Sequence, residues 1–252
     1  MQLESLLQYL DGYLGVSDHP DYATALNGLQ VQGREEVQVV AVAVDASEAV
    51  IGAAAEMGAD LVVVHHGLFW GGLRPLTGPH FRRIRNLIDA ELGLYSCHLP
   101  LDGHSEVGNC VLLARALGLE IEGRLGAYQG VPIGWWGRLP EPLGAAALVA
   151  RVEAAVGGPA HLIPGGPERI ESVGVVTGGG ASFVSEAAAA GLDAFVTGEG
   201  SHHTHFDATE QGIHVLFGGH YATETFGVRA LGEHLASRFG LTWHFIDQPT
   251  GL

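Results

Sequence analysis

The chain repeats a pattern, and that repeat constrains its fold more than any other feature. Residues 39–66 read VVAVAVDASEAVIGAAAEMGADLVVVHH, and residues 173–199 read VGVVTGGGASFVSEAAAAGLDAFVTGE. Each copy opens with an apolar, β-branched run, passes a turn of small residues and enters an alanine-rich helical stretch. Gly58-Ala59-Asp60 in one copy and Gly191-Leu192-Asp193 in the other then lead into a second apolar run. Strands apolar on both faces, separated by a helix, describe a parallel sheet covered by helices. A third strand is expected in each copy, at Leu94 to His98 and at Ile213 to Phe217. The order of elements is shared more closely than the residues are. It predicts an α/β chain of two related lobes, each with a mostly parallel sheet flanked by helices.

Between the copies, residues 126–142 (GAYQGVPIGWWGRLPEP) carry turn signals and read as a less regular stretch, followed by an alanine-rich helix through Val156. A boundary near residue 125 divides the chain into lobes 1–125 and 126–252, and the final helix and strand (229–247) could cross back to the first lobe. Leu3, Leu6, Leu7, Leu10 and Leu14 form a helical stripe at the N-terminus. Glu4 and Asp11 interrupt it and no basic n-region precedes it, which argues against a signal peptide. No eighteen-residue apolar run suggests a membrane span. Cys97 and Cys110 are too few for a disulfide framework, so a reducing cytoplasm is expected.

Composition removes several function classes. Twelve basic residues against twenty-eight acidic ones leave a formal charge of −16, which repels phosphate backbones and argues against general nucleic-acid binding. All twelve basic residues are arginine. Without a lysine there is no Schiff base, no pyridoxal-phosphate anchor and no Walker P-loop. No G-x-S-x-G elbow supports a serine nucleophile.

What remains is a distribution of histidines and carboxylates. His65 and His66 end the run LVVV, where ligands of parallel α/β sheets bind. Successive strand residues point to opposite faces, so this pair must lie on the turn beyond the strand or serve different ions. Asp102 follows the strand that ends near His98. The strand ending at Phe217 runs through two glycines to His220, with Glu224 one helical turn later. His65, His66, Asp102, His220 and Glu224 form a nitrogen and oxygen donor set suited to Fe, Mn, Zn or Co. Five ligands exceed one catalytic zinc and suit two divalent ions ~3.5–4 Å apart. The turn Thr177-Gly178-Gly179-Gly180-Ala181-Ser182 sits where a phosphate could be held, but it lacks the full G-x-G-x-x-G pattern, and a tight strand-to-helix connection is the preferred reading of its glycines. Phe69 and Trp70 read as packing or interface residues rather than a platform for a planar base, Trp135 and Trp136 as lobe or subunit packing, and Arg82, Arg83 and Arg85 as a solvated helix face rather than a substrate clamp.

The segments VVVHHGLFW, CHLPLD, DAFVTGE and GGHYATETFGVRAL, with Asn27-Gly28-Leu29-Gln30-Val31, resemble the GTP cyclohydrolase I type 2 family, the NGG-interacting-factor-three-like dinuclear metal proteins. The resemblance spans essentially the whole chain, in the compact bacterial form. It implies a toroidal homohexamer with a dimetal centre between the lobes, at the strand carboxyl ends, facing an internal cavity. Its ligands would be the same five residues, with Glu224 bridging. His202, His203 and His205 exceed the family's pattern.

The resemblance also implies hydrolytic opening of GTP's purine ring with release of formate. His98 or one of the 202–205 histidines, His202 in the first instance, would move protons. The small-molecule substrate, a nucleotide, is indicated by the resemblance alone, and a different phosphoester or a cyclic amide would fit the same centre. A reading of another class is a hexameric metal-storage, delivery or regulatory protein without turnover.

Overall fold

The computed structural model describes residues 1–251, which divide into two compact units. The first comprises Met1–Leu101 and Gly227–Gln248, the second Asp102–Phe226 with the C-terminal residues from Pro249. The division falls after Leu101 rather than near residue 125. The physical reason lies in the helix at 109–116, whose Leu113 and Ala114 are buried in the second unit's core.

The first unit runs α1 (Leu3–Leu14), β1 (Gly28–Val31), β2 (Val39–Asp45), α2 (Glu48–Glu56), β3 (Leu61–His66), α3 (Gly78–Asp89) and β4 (Gly93–Ser96). The second runs from α4 (Leu99–Gly103), which carries the chain across, to α5 (Asn109–Ala116), β5 (Glu120–Tyr128), β6 (Val131–Leu143), α6 (Ala145–Val156), β7 (His161–Ile163) and β8 (Ile170–Val175). A 3-10 turn (Gly180–Phe183) then precedes α7 (Val184–Ala189), β9 (Ala194–Thr197), α8 (Thr204–Gln211), β10 (His214–Phe217) and α9 (His220–Thr223). The chain returns through α10 (Thr225–Phe239) to β11 (Thr242–Phe245) in the first unit.

The first sheet has the order β1-β4-β3-β2-β11, parallel except for the edge strand β1. The C-terminal strand does cross back, pairing with β2 from Thr242↔Val39 to Phe245↔Val42. Val50, Ile51 and Ala54 of α2 pack on Ala41, Ala43, Val62 and Val64 of the sheet. The second sheet has the order β5-β6-β8-β9-β10-β7 and is mixed. Its centre, β8-β9-β10, is parallel, and its flanks are antiparallel. Leu148 and Val152 of α6 cover Val173, Val175, Val196 and Leu216.

The stretch 126–142 is therefore regular, contrary to its turn-rich composition. Gln129 and Gly130, at φ 48° and 87°, form a two-residue turn between β5 and β6. Positive φ at both central positions matches the twist of a hairpin. Pro140 and Pro142 fall where the β6–β8 register breaks, between Arg138↔Ser172 and Leu143↔Ile170. A residue without an N–H is tolerated there.

The echo has a structural cause. Asp60, just before β3, accepts the N–H groups of Gln38 and Val39 at the start of β2, at 2.9 and 3.0 Å. Asp193, just before β9, accepts those of Glu171 and Ser172 at the start of β8, both at 2.9 Å. In both sheets a carboxylate entering one strand satisfies the first donors of its parallel neighbour.

Candidate functional site

In the first unit three histidines gather at the carboxyl ends of β3 and β4, His65 and His66 as the last two residues of β3 and His98 two residues past β4. His65 is fully buried, and its Nδ1 lies 3.0 Å from the carbonyl oxygen of Cys97. His66, the last residue of β3, places Nδ1 2.9 Å from Asp45 Oδ1 at the end of β2. His98 places Nδ1 2.8 Å from Asp21 Oδ1. One ligand nitrogen from each of the three rings lies within 4.8 Å of the others. The pair in the strand thus converges without leaving it: the ring centroids of His65 and His66 are 4.6 Å apart. Pleat alternation is not enforced on the terminal residue, whose ring Asp45 anchors from the adjacent strand.

An oxygen acceptor at each Nδ1 fixes the proton there and leaves Nε2 with the lone pair. This arrangement holds metal-ligating histidines in a single tautomer. The residues that provide it were not singled out for that role from sequence. Burial pushes the Asp21 carboxyl up, but hydrogen bonds from His98, Asn27 and the Tyr22 N–H, with the attraction of His98, outweigh it and hold Asp21 below its ordinary range. Asn27 donates to Asp21 at 2.8 Å and accepts the His98 N–H at 2.8 Å. Gln30 Oε1 accepts the Leu68 N–H at 2.7 Å. The Asn27–Val31 segment therefore ties down both histidine-bearing loops. The available signal was the polar residues Asn27 and Gln30 inside a short motif.

Trp70 packs edge-on against His98, at 4.7 Å and 83°, and against His66 at 5.8 Å. Phe69 does the same to His80. Both aromatic residues after the histidine pair therefore make edge-on ring contacts with histidines of the first unit. Arg82 pairs with exposed Glu48 at 2.8 Å and Arg85 with Asp89 at 3.1 Å, a solvated helix face.

In the second unit the same ends of parallel strands carry the chemistry. Asp102 is buried in α4, and Asn109 Nδ2 and Thr177 Oγ1 both donate to its Oδ1, at 2.9 and 3.1 Å. Past β10, Gly219 begins the turn into α9, which places His220 Nε2 3.2 Å from Glu224 Oε2. The expected i, i+4 pair is therefore formed, although the helix breaks between α9 and α10 at Glu224 itself. Glu224 is 2% exposed, and it and Asp102 bring carboxylate oxygens within 4.8 Å of one another. Past β9, Glu199 lies 2.9 Å from His220 Nδ1.

Two carboxylates on one imidazole have an electrostatic consequence. The hydrogen bond to Glu224 leads; its charge and Glu199 add to it, and together they outweigh burial. His220 rises to about 9. Without a cation the pair is satisfied by a proton on His220; a metal ion satisfies the same charges by replacing it.

A cleft of about 700 Å³ opens beside Glu199, lined by Ser182, Ser185, Ser201, His203 and Asp207 among others. It has two carboxylates and no arginine. His202 is exposed just ahead of α8, its ring edge-on to Phe206 at 5.8 Å, and it is His203 that lines the cleft.

Imidazole nitrogens with oriented tautomers and buried carboxylates make a donor set that could hold a metal ion. No helix among the described residues is long and apolar enough to cross a membrane. The family described as Duf34/NIF3 (NGG1p interacting factor 3) matches residues 1–251. The chain is 46% identical over 249 residues to the GTP cyclohydrolase 1 type 2 homolog of Deinococcus radiodurans, covering 99% of this chain and 94% of that protein. It is 46% identical over 256 residues to that of Halobacterium salinarum, covering all of both chains. Among solved structures, the protein ybgI, described as of unknown function, superposes with a TM-score of 0.94 at 40% identity over the whole of both chains. TTHA1606 from Thermus thermophilus does so with a TM-score of 0.90 at 42% identity, again over all of both. Fold, sequence and extent agree, and the chain belongs to the Duf34/NIF3 family.

Proposed function

We propose that this chain is a dinuclear metal-dependent hydrolase, with His65, His66, Asp102, His220 and Glu224 as the ligands of two divalent cations. The observation that carries the reading is the orientation of the histidines. His65 and His66 each have Nδ1 against an oxygen acceptor, and His220 has Nδ1 against Glu199, so Nε2 is the ligating atom in all three. Cations held by these residues would lower the pKa of a bound water and supply a hydroxide nucleophile at neutral pH. The chain's own residues do the rest. Asp21 keeps the proton of His98 on Nδ1, so Nε2 is the atom that would accept a proton from the attacking water and return it to the leaving group. Trp70, packed against His98 and His66, restricts water beside them.

The names of the relatives bring GTP to this chain as the proposed substrate. We also propose a homohexamer, tested by a solution mass of six copies of the 26.4 kDa chain.

The test is metal content per chain after anaerobic purification, with GTP turnover, for the wild type and His220→Ala. About two ions in the wild type, lost or halved in the variant together with turnover, is the expected result. A metal-loaded wild type without turnover of any nucleotide would move the reading to metal storage or delivery. A wild type that stays empty after repletion with Fe, Mn, Zn and Co would overturn both.

A further inference from the structure

The glycine-rich turn after β8 invites a phosphate-loop reading, but its first two residues, Thr177 and Gly178, each adjoin a carboxylate. Thr177 lies two residues beyond β8 and is buried, as are Asn109, Cys110 and Asp102. Both Asn109 and Thr177 donate to the same oxygen of Asp102, Oδ1. An ionised carboxylate only accepts, so the Thr177 hydroxyl proton points at Asp102, and an Oγ1 lone pair is turned to Cys110 Sγ at 3.3 Å. The Thr177 N–H meets the same sulfur at 3.4 Å. Burial first, and then the charge of Asp102, push the Cys110 thiol up to about 12, so it stays protonated and serves as the donor. The thiol thus donates to the hydroxyl and the hydroxyl to the carboxylate, in one directed chain of hydrogen bonds.

The next residue acts on the second carboxylate. Gly178 has φ 59°, and a Cβ there would overlap Glu224 Oε1, sit 2.9 Å from its Cδ and lie 3.2 Å from His220 Nε2. The Gly178 N–H donates to Thr223 Oγ1, and its carbonyl accepts from Gly198 and Glu199 N–H. The missing side chain is therefore the space that Glu224 occupies.

We propose that the Thr177-Gly178 turn is a positioning device for the metal-binding carboxylates: Thr177, with Asn109, commits Asp102 Oδ1 and presents Oδ2 to the cation, while Gly178 admits Glu224. This rests on the metal reading above and extends it to residues that touch no ion themselves. Monodentate ligation by Asp102 follows from it.

The test compares the wild type with Thr177→Val, Thr177→Ser and Gly178→Ala. Each is stripped, reloaded with Co(II), titrated against a competing chelator and examined by visible absorption, and its apoprotein is melted in parallel. Thr177→Val is expected to weaken Co(II) binding about 10–100-fold and to change the d–d absorption bands, since ligand-orienting partners have effects of that size. Thr177→Ser, which keeps the hydroxyl, should restore both. Gly178→Ala should weaken binding by displacing Glu224. If Thr177→Val binds Co(II) with wild-type affinity and spectrum, or Ser fails to rescue a folded variant, the proposal is wrong. If Thr177→Val does not fold, Gly178→Ala decides: wild-type affinity and spectrum there overturn the proposal. A wild type that takes up no cobalt refutes the metal reading instead, which keeps the two failures distinct.

Discussion

Asp60 offers a quantitative test of the interaction that makes the two halves of the chain alike. Its Oδ2 accepts two strand N–H groups at 2.9 and 3.0 Å, and its Oδ1 pairs with half-exposed Arg34 at 3.1 Å. A hydrogen bond to a charged group contributes about 1.5 kcal/mol or more, and a solvated ion pair adds less than about 1 kcal/mol. Asp60→Ala should therefore cost about 3 kcal/mol, nearly all of it from the two backbone donors. Asp60→Asn should cost only about 1 kcal/mol, because one amide oxygen can take the place of Oδ2 for both donors. The assay is urea unfolding of the chelator-treated protein at pH 7, followed by circular dichroism. The pair of variants also separates in acid. Burial pushes the Asp60 carboxyl up, but the Gln38 and Val39 N–H groups and Arg34 outweigh it and hold it below its ordinary 3.8. Protons then bind the unfolded chain more readily than the folded one. The contribution of Asp60 is complete above 3.8 and fades as pH falls through the depressed folded value, and Asp60→Asn lacks that dependence. Equal losses for Ala and Asn, or a loss below about 1 kcal/mol for Ala, would refute the reasoning.

Two further outcomes follow from the geometry. Asp45→Ala removes the acceptor of His66 Nδ1 but is itself 40% exposed, so metal affinity should fall about 10–100-fold while apoprotein stability changes by less than about 1 kcal/mol; the opposite pattern, read by chelator competition and thermal melting, would make Asp45 a structural residue. Cys97 and Cys110 are both fully buried, so the native protein should give no fast thiol reaction and the urea-unfolded chain two equivalents; a rapidly labelled native thiol contradicts that burial.

Much of this was legible along the chain. Apolar runs, alanine-rich stretches and punctuating glycines are local signals, and they placed β2-α2-β3, β8 to β9 and the third strands of both units, because burial on two faces demands continuous apolar residues. The i, i+4 spacing likewise brought His220 to Glu224. Composition misled at residues 126–142, where a hairpin turn needs the very glycine that suggested irregularity. Other features depended on partners distant in sequence. Asp21 reaches His98 across 77 positions, and Thr177 reaches Asp102 across 75. The convergence of His65 with His66 depended on Asp45 at the end of β2 and on Cys97 just past β4. Residue types and periods specify which surfaces must be buried and which side chains can bind. Which oxygen faces which imidazole is settled only when strand order and loop packing bring remote segments together, since a hydrogen bond depends on distance in space and not along the chain.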